Sequence, residues 1–240
     1  MIHVSHKKSM EPDFKVFEER IGIIFKDKQL LKSAFTHRSY LNENRGIKIE
    51  HNERLEFLGD AVLELVITAH LYNKYPAKNE GDLTSYRSAL VNAVTLSGVA
   101  EKLGMNEFLL LSHGEAKDTG RARQYILANT IEAFIGSVFL DQGYEVAQSF
   151  ISKNIFNLID DIVEKRAWVD PKSLFQEKAQ EVDGFTPSYV VVKEIGPDHD
   201  KTFTVAAYIG KESVALGEGQ SKQEAEQDAA KKGLEAKKWQ

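Results

Sequence analysis

Four acidic residues recur along one segment of the chain at spacings that bring their side chains together. The acids are Glu53, Glu56, Asp60 and Glu64. They follow one another at intervals of three, four and four positions, so on an α-helix they form one narrow stripe. Apolar residues fill most of the positions between them, which predicts a largely buried helix. Carboxylates crowded near an apolar core are costly unless a cation neutralises them.

A hard divalent cation would neutralise such a stripe. Mg²⁺ takes oxygen ligands and usually keeps waters and substrate phosphates in its remaining positions. The chain has no cysteine, so thiolate metal sites and disulfides are excluded and the carboxylates are the first candidates. The alternative is a solvated acidic face paired with Lys or Arg, which is the commoner role of an acidic helix. The surrounding apolar residues favour the metal site.

A second polar pair lies inside an otherwise apolar segment. Residues Tyr125–Leu140 are apolar nearly all round, which predicts a buried central helix. Asn129 and Glu132 stand one turn apart on the same face of this helix. Taken alone, a buried glutamate of this kind is more often a structural acid than a metal ligand.

The elements that must position these residues divide the chain into a helical part and a mixed part. With 240 residues, 42% of them apolar, the chain has material for two ordinary domains. Helices are predicted from near Phe14 and over Leu30–Phe35, Arg54–Leu71, Leu83–Leu103, Tyr125–Leu140 and Tyr144–Val163. We expect a flexible leader over 1–12, an all-α domain over 13–163 and a linker over 164–169.

Residues 170–239 have the pattern of an α+β domain with the order α-β-β-β-α. Asp170 and Pro171 are typical of a helix start, and Lys172–Glu181 follows as a short helix. The β-rich runs, separated by turn residues, predict an antiparallel meander. They are Ser188–Val192, Thr202–Tyr208 and Ser213–Gly217, and a last helix is predicted from Lys222 to about Lys237.

Composition limits the location and the partners of the chain. No apolar run approaches the roughly 20 residues that span a bilayer, and the segment Met1–Lys8 lacks the apolar region of a signal peptide. We therefore expect a cytoplasmic protein that does not enter membranes. The net charge of −5 gives no support to nucleic-acid binding, although a local basic patch is sufficient for contact with a phosphate backbone.

The segment Asn52–Asp60, with the sequence NERLEFLGD, resembles the signature of the bacterial ribonuclease III family over nine consecutive positions. Further similar segments are Phe35–Tyr40, Glu80–Leu83 and Ile131–Gly136. The resemblance implies a Mg²⁺-dependent endonuclease, with Mn²⁺ as a substitute ion, that cuts double-stranded RNA. It further implies products with 5′-phosphate and 3′-hydroxyl ends, two-nucleotide 3′ overhangs, and a role in processing ribosomal RNA precursors and structured messages.

The same resemblance implies roles for individual residues. The expected metal ligands are Glu56, Asp60, Asn129 and Glu132, with Asp60 and Glu132 as the catalytic residues and Glu53 and Glu80 as supporting acids. Glu64 is expected to lie beyond the site. His37, in the sequence Thr-His-Arg-Ser, is expected to be a structural or substrate-positioning residue rather than a general base, because no acid lies close to it in sequence.

The chain departs from the family pattern at Asn129, where the family has Asp. An amide oxygen can ligate Mg²⁺ but brings no charge, so metal affinity should fall. Our hypothesis is that Glu56, Asp60 and Glu132 suffice for activity. The alternative is a catalytically weakened or inactive RNA-binding protein of the same fold. A helical metal-dependent hydrolase acting on nucleotides would also explain the acids, but it leaves the second domain without a role.

The second domain resembles a double-stranded-RNA-binding domain at Gly196–His199 and Ser221–Glu226. By that resemblance the minor-groove contacts are Gln176, Gln180 and His199, while Lys222 at a helix start contacts phosphates. Gln223 stands where family members often have a second basic residue, which should weaken binding. The alternative for this domain is a small protein-interaction module.

The family also implies a homodimer of the helical domain. Phe57 would then project from the signature helix into a socket on the partner. The alternative for Phe57 is packing in the core of its own subunit, and the sequence does not separate the two.

Overall fold

The computed structural model describes residues 12–164, 170–197 and 201–239. These residues fall into two compact units, one within Met1–Lys165 and the other within Arg166–Gln240. The predicted leader, apart from Pro12, and the predicted linker, apart from Glu164, lie outside the described residues. No helix in the described ranges is long and apolar enough to cross a membrane.

The first unit is helical in all of its named elements, as the sequence predicts. Its helices are α1 (Phe14–Ile21), α2 (Lys28–Ala34), α3 (Arg38–Glu43), α4 (Glu53–Lys74), α5 (Glu80–Val91), α6 (Ala93–Lys102), α7 (His113–Lys117), α8 (Arg121–Gln142), α9 (Tyr144–Ile155) and α10 (Leu158–Glu164). A 3₁₀ turn spans Met105–Phe108.

Two of the predicted helices are each interrupted. The segment predicted as Leu83–Leu103 forms α5 and α6, because Asn92 leaves the helical conformation and its side chain accepts a hydrogen bond from the Thr95 N–H at 2.9 Å. The segment predicted as Tyr144–Val163 forms α9 and α10, which are separated at Phe156 and Asn157. Asn92 is a typical helix-capping residue, so the sequence did carry a signal for the first break.

Helix α8 lies at the centre of the first unit, as predicted from its apolar character. Most of its residues from Ile126 to Val138 are buried, and the exceptions are Asn129 and Glu132. The ring of Phe134 on α8 packs edge-on against Phe17 at 5.4 Å between centroids. The α8 helix therefore presents its two polar side chains from a rigid apolar support.

Helix α4 is buried on one side only, so the expectation of a largely buried helix is wrong for its other side. Leu63, Val66 and Ile67 are in the core. On the opposite side Phe57 is 82% exposed, Leu65 59% and Tyr72 71%. The sequence pattern records that a face is apolar but not whether the same chain covers it, and here the described residues of one chain leave it open.

The second unit has the predicted α-β-β-β-α order. Its elements are α11 (Pro171–Val182), β1 (Ser188–Ile195), β2 (Thr202–Ile209), β3 (Glu212–Gly219) and α12 (Lys222–Lys237). The strands form one antiparallel sheet in the order β1-β2-β3. Its core consists of apolar residues from both helices and from β2, including Phe175, Ala207 and Ala229.

Candidate active site

The start of α4 is fixed by backbone contacts to the preceding loop. Asn52 is buried, its N–H donates to the Thr36 carbonyl at 2.9 Å, and its own carbonyl accepts from the Glu56 N–H at 2.8 Å. Thr36 in turn forms a short parallel bridge with Leu110. The first turn of α4, which carries the first two acids, is therefore held in place at its backbone.

Helices α4 and α8 cross in direct backbone contact at two glycines. A Cβ atom placed on Gly59 would lie 1.8 Å from the Glu132 carbonyl oxygen, and one placed on Gly136 would lie 2.3 Å from the Leu55 carbonyl oxygen. Because Leu55 faces Gly136 and Gly59 faces Glu132, the two helices run antiparallel. This contact brings the stripe of acids on α4 next to Glu132.

The carboxylates predicted as ligands are close enough to affect one another's ionisation. Burial is the main reason that the pKa of the Glu132 carboxyl is raised to about 8. Three neighbouring charges add to this shift, in the order Asp60, Glu56 and Glu64. Burial also raises the pKa of Glu56, with further contributions from Glu53 and Asp60, and it raises the pKa of Asp60.

The charge of Glu64 also reaches this group, while its expected place beyond the metal site stays a prediction. Glu64 is half-buried, and its charge raises the pKa values of both Asp60 and Glu132. The spacing of four residues from Asp60 was the signal in the sequence, since residues four apart share one face of a helix.

The two supporting acids occupy different surroundings. A carboxylate oxygen of Glu53 lies 3.1 Å from a guanidinium nitrogen of Arg38, and the charge of Glu53 contributes to the raised pKa of Glu56. Glu80 is exposed in the first turn of α5. It is not among the charges that shift the pKa values of Glu56, Asp60 or Glu132, so the structure links only Glu53 to this group.

His37 caps the start of α3. Its Nδ1 accepts a hydrogen bond from the Ser39 N–H at 3.3 Å and lies 2.8 Å from the Ser39 hydroxyl oxygen. Burial lowers the pKa of the His37 imidazole. An imidazole whose Nδ1 accepts a hydrogen bond at a helix start supports the expected structural role of His37.

The donor set at the crossing suits a hard cation. Asn129 lies one turn before Glu132 on α8 and is likewise only partly buried, so the pair adds an amide oxygen and a carboxylate to the acids of α4. Across the described residues, no three His, Asp or Glu side chains lie close enough together to enclose an ion. The acids are therefore near enough to affect one another's pKa values without forming a closed cage among the described residues.

Phe57 points away from the core of its own subunit. Its side chain is exposed beside a cavity of about 690 Å³. Other residues that line this cavity include Leu30, His51, Leu55, Leu58 and Leu140. Among the described residues Phe57 therefore does not pack in the core, and its role as a dimer contact stays a prediction.

In the second unit, three of the residues assigned to RNA contact lie at the surface. Gln176 and Gln180 are exposed one turn apart on α11, and Gln180 Nε2 donates to the Thr186 hydroxyl at 3.1 Å. Lys222 is the first residue of α12 and is exposed, with its Nζ 5.9 Å from the Phe203 ring centroid. His199 lies outside the described residues.

Comparison with known protein families matches both units. A family model described as ribonuclease-III-like matches residues 27–159, and a double-stranded RNA binding motif matches residues 171–237. The chain belongs to the ribonuclease III family. This result confirms the family, the two-part fold and the enzyme class expected from the sequence.

Individual relatives match over nearly their whole length. The ribonuclease 3 of Bacillus licheniformis is 44% identical to this chain, and the match covers 97% of this chain and 94% of the relative. The ribonuclease 3 of Borreliella afzelii is 43% identical, and that match covers 92% of this chain and 89% of the relative. Among solved structures, the nuclease domain of ribonuclease III from Campylobacter jejuni is 39% identical, with a TM-score of 0.53. The match covers 59% of this chain and 98% of the Campylobacter jejuni domain. The description of that structure concerns a region involved in dimer formation. The ribonuclease III fold of the first unit is thus supported by both sequence and structure.

Proposed function

We propose that this chain is a Mg²⁺-dependent endoribonuclease that hydrolyses phosphodiester bonds in double-stranded RNA. The products carry 5′-phosphate and 3′-hydroxyl ends with two-nucleotide 3′ overhangs. The observation that carries the proposal is the position of Glu132 against Glu56 and Asp60 across the α4–α8 crossing. Residues 13–163 form the catalytic domain and residues 170–239 the RNA-binding domain.

The residues at the crossing have different roles in hydrolysis. Glu56 and Glu132 hold the ion, together with the amide oxygen of Asn129, and Asp60 ligates or orients the attacking water. An Mg²⁺ ion held there, or Mn²⁺ in its place, would supply a water of lowered pKa and would neutralise charge on the phosphate and on the leaving 3′-oxygen. The half-buried Glu132 would hold the ion as the carboxylate, because a cation favours the charged form.

The second unit holds the duplex. Gln176 and Gln180 face a minor groove from α11, and His199 reaches the next minor groove. Lys222 contacts phosphates between them. The exposed positions of Gln176, Gln180 and Lys222 support these roles. Recognition is by the shape and the 2′-hydroxyls of A-form RNA rather than by base sequence.

Two active sites are needed for a staggered double cut, and a homodimer supplies them. The exposed apolar side of α4, which includes Phe57, Leu65 and Tyr72, supports a dimer interface there. Phe57 inserts into a socket of the partner subunit. In the cytoplasm such an enzyme acts on ribosomal RNA precursors and structured messages.

A second candidate function is a double-stranded-RNA-binding protein of the same fold with little or no cleavage activity. Asn129 favours this candidate, because it removes one negative charge from the ligand set of the family.

The experiment that tests the proposed function is cleavage of a perfectly paired RNA of about two helical turns. The matched substrates are either strand alone and a DNA duplex of the same sequence. We expect Mg²⁺-dependent cuts in the RNA duplex only, with 5′ ends that are sensitive to phosphatase and staggered by two nucleotides. Cleavage of the single strands, or product ends of the opposite type, would contradict the proposal.

A further inference from the structure

One of the two ring nitrogens of His37 is open to solvent. Nδ1 is engaged, since it accepts the Ser39 N–H at 3.3 Å and lies 2.8 Å from the Ser39 hydroxyl oxygen. Nε2 has no hydrogen-bond partner among the described residues, and it is not one of the unpaired polar atoms that are closed off from solvent. A ligand can therefore reach this nitrogen.

The helix cap determines which of the two nitrogens carries the proton. A backbone N–H can only donate, so Nδ1 accepts from Ser39 and the proton of the uncharged ring lies on Nε2. The Ser39 hydroxyl oxygen accepts the Ser112 N–H at 3.1 Å, which leaves its own proton free to donate to Nδ1. Burial lowers the pKa of the imidazole, although the charges of Glu115 and Glu53 oppose this shift. The uncharged ring therefore presents one N–H donor to solvent.

His37 lies between two contacts that join its segment to the start of α4. Immediately before it, the Thr36 carbonyl accepts the Asn52 N–H at 2.9 Å. Immediately after it, a guanidinium nitrogen of Arg38 lies 3.1 Å from a carboxylate oxygen of Glu53. This segment therefore runs beside the first turn of α4, which carries the first acids of the candidate site.

The group that binds Nε2 must be a hydrogen-bond acceptor. An RNA strand that lies at the acids brings phosphate oxygens, which can only accept. The side chain of Arg38, next to His37, is 65% exposed, and arginine is favoured where phosphate groups are recognised. An N–H donor beside an exposed arginine therefore suits a phosphate group.

We propose that the His37 Nε2–H donates a hydrogen bond to a non-bridging phosphate oxygen of the RNA strand that lies at the acids of α4. The proposal rests on the proposed function and adds to it a substrate contact from the segment before α3. His37 then has two roles, because Nδ1 caps the helix and Nε2 positions the strand. No proton is transferred in this contact.

Two substitutions separate the roles of the two ring nitrogens. Asn is a favoured capping residue but ends short of the Nε2 position, so His37→Asn keeps the cap and removes the outer donor. Gln reaches the Nε2 position with an amide N–H but is not a favoured capping residue, so His37→Gln keeps the donor and weakens the cap.

The measurements are single-turnover cleavage of a paired RNA in Mg²⁺ and the melting temperature of the RNA-free full chain. For His37→Asn we expect an unchanged melting temperature and cleavage slower by about tenfold or more, the effect of one hydrogen bond to a charged group. His37→Gln should recover most of this lost cleavage despite a lower melting temperature. Mg²⁺ affinity, measured by calorimetry without RNA, should be the same in both variants.

Asp13→Asn is the matched control. Asp13 caps α1 with the same spacing, since its side chain accepts the Lys15 N–H at 3.0 Å, and this exchange of capping residue should change neither cleavage nor melting temperature. Normal cleavage by His37→Asn would overturn the contact. An equal loss of cleavage in both His37 variants would also overturn it, because Gln keeps the donor but cannot transfer a proton. If the unaltered chain does not cleave the RNA at all, the proposed function fails and the contact fails with it.

Discussion

Gly59 and Gly136 meet where α4 crosses α8, and no side chain separates the two backbones. A Cβ atom on Gly59 would lie 2.8 Å from the Gly136 nitrogen, and one on Gly136 would lie 3.0 Å from the Gly59 nitrogen. This contact sets the distance between the acids of α4 and Glu132. The two glycines therefore allow α4 and α8 to approach closely, and this approach determines how near the acids of α4 lie to Glu132.

Gly59→Ala should separate the two helices, since the new methyl group would collide with the Glu132 backbone rather than with a flexible side chain. We expect the free energy of unfolding to fall by about 3 kcal/mol and Mg²⁺ affinity to fall with it. Denaturant unfolding and calorimetric titration measure the two effects. The matched control is Gly98→Ala in α6, where a Cβ meets nothing within 4 Å. The control should be neutral or stabilising by about 0.5–1 kcal/mol, and equal behaviour of the two variants would refute the close crossing.

Asn129→Asp should restore a fourth carboxylate to the site. We expect Mg²⁺ to bind more tightly by a factor on the order of ten, because affinity rises with the charge of the ligands. Titration calorimetry of the RNA-free chain measures this. Asn73→Asp adds the same charge on the exposed far end of α4 and should leave the affinity unchanged. If both variants bind the ion like the unaltered chain, Asn129 is not a ligand.

Much of the fold followed from local patterns, but the site depends on a contact that these patterns do not encode. Helix spacing predicted the stripe that contains Glu56 and Asp60, and the strand patterns predicted the sheet. The antiparallel crossing at Gly59 joins segments about 75 residues apart in sequence, and no local period specifies such a contact.

Other features of the site could not be predicted for related physical reasons. The exposure of Phe57 was open because an apolar face has the same pattern whether its own chain or a partner covers it. The reach of the Glu64 charge to Asp60 and Glu132 could not be predicted from its spacing, because burial determines how far a charge acts.

The raised pKa of Glu132 predicts a pH-dependent stability of the metal-free protein. The folded-state pKa of about 8 lies above the ordinary value of 4.5, so the folded state binds more protons than the unfolded state between these values. Stability should therefore fall as pH rises from about 5 to about 8. In Glu132→Gln this fall should be smaller, with a gain on the order of 1 kcal/mol at pH 8 after allowance for solvent screening. Thermal unfolding in chelator across this range measures it, with the exposed Glu101→Gln as control. A variant that is less stable than the unaltered chain at pH 8 would contradict the assigned surroundings of Glu132.

Phe57→Asp should convert a dimer into monomers. Because the side chain is exposed within one subunit, the fold should be unaffected, whereas a charge at the centre of an apolar interface should cost about 2 kcal/mol or more of dimer stability. Sedimentation velocity together with circular dichroism separates the two effects. Val94→Asp, at another exposed apolar position, is the control and should remain dimeric. A chain that is already monomeric without any substitution would disprove the dimer.

The central claim is that Glu132, together with Glu56 and Asp60, supports metal-dependent cleavage of double-stranded RNA although residue 129 is Asn. The most direct measurement is the single-turnover cleavage rate of a paired RNA in Mg²⁺, compared between the unaltered chain, Glu132→Gln and the exposed control Glu145→Gln. We predict cleavage by the unaltered chain and by the control, and a rate at least about 100-fold lower for Glu132→Gln with unchanged RNA affinity. Tight binding without cleavage by the unaltered chain, even at high Mg²⁺ or Mn²⁺, would contradict the claim and identify an RNA-binding protein whose site Asn129 has disabled.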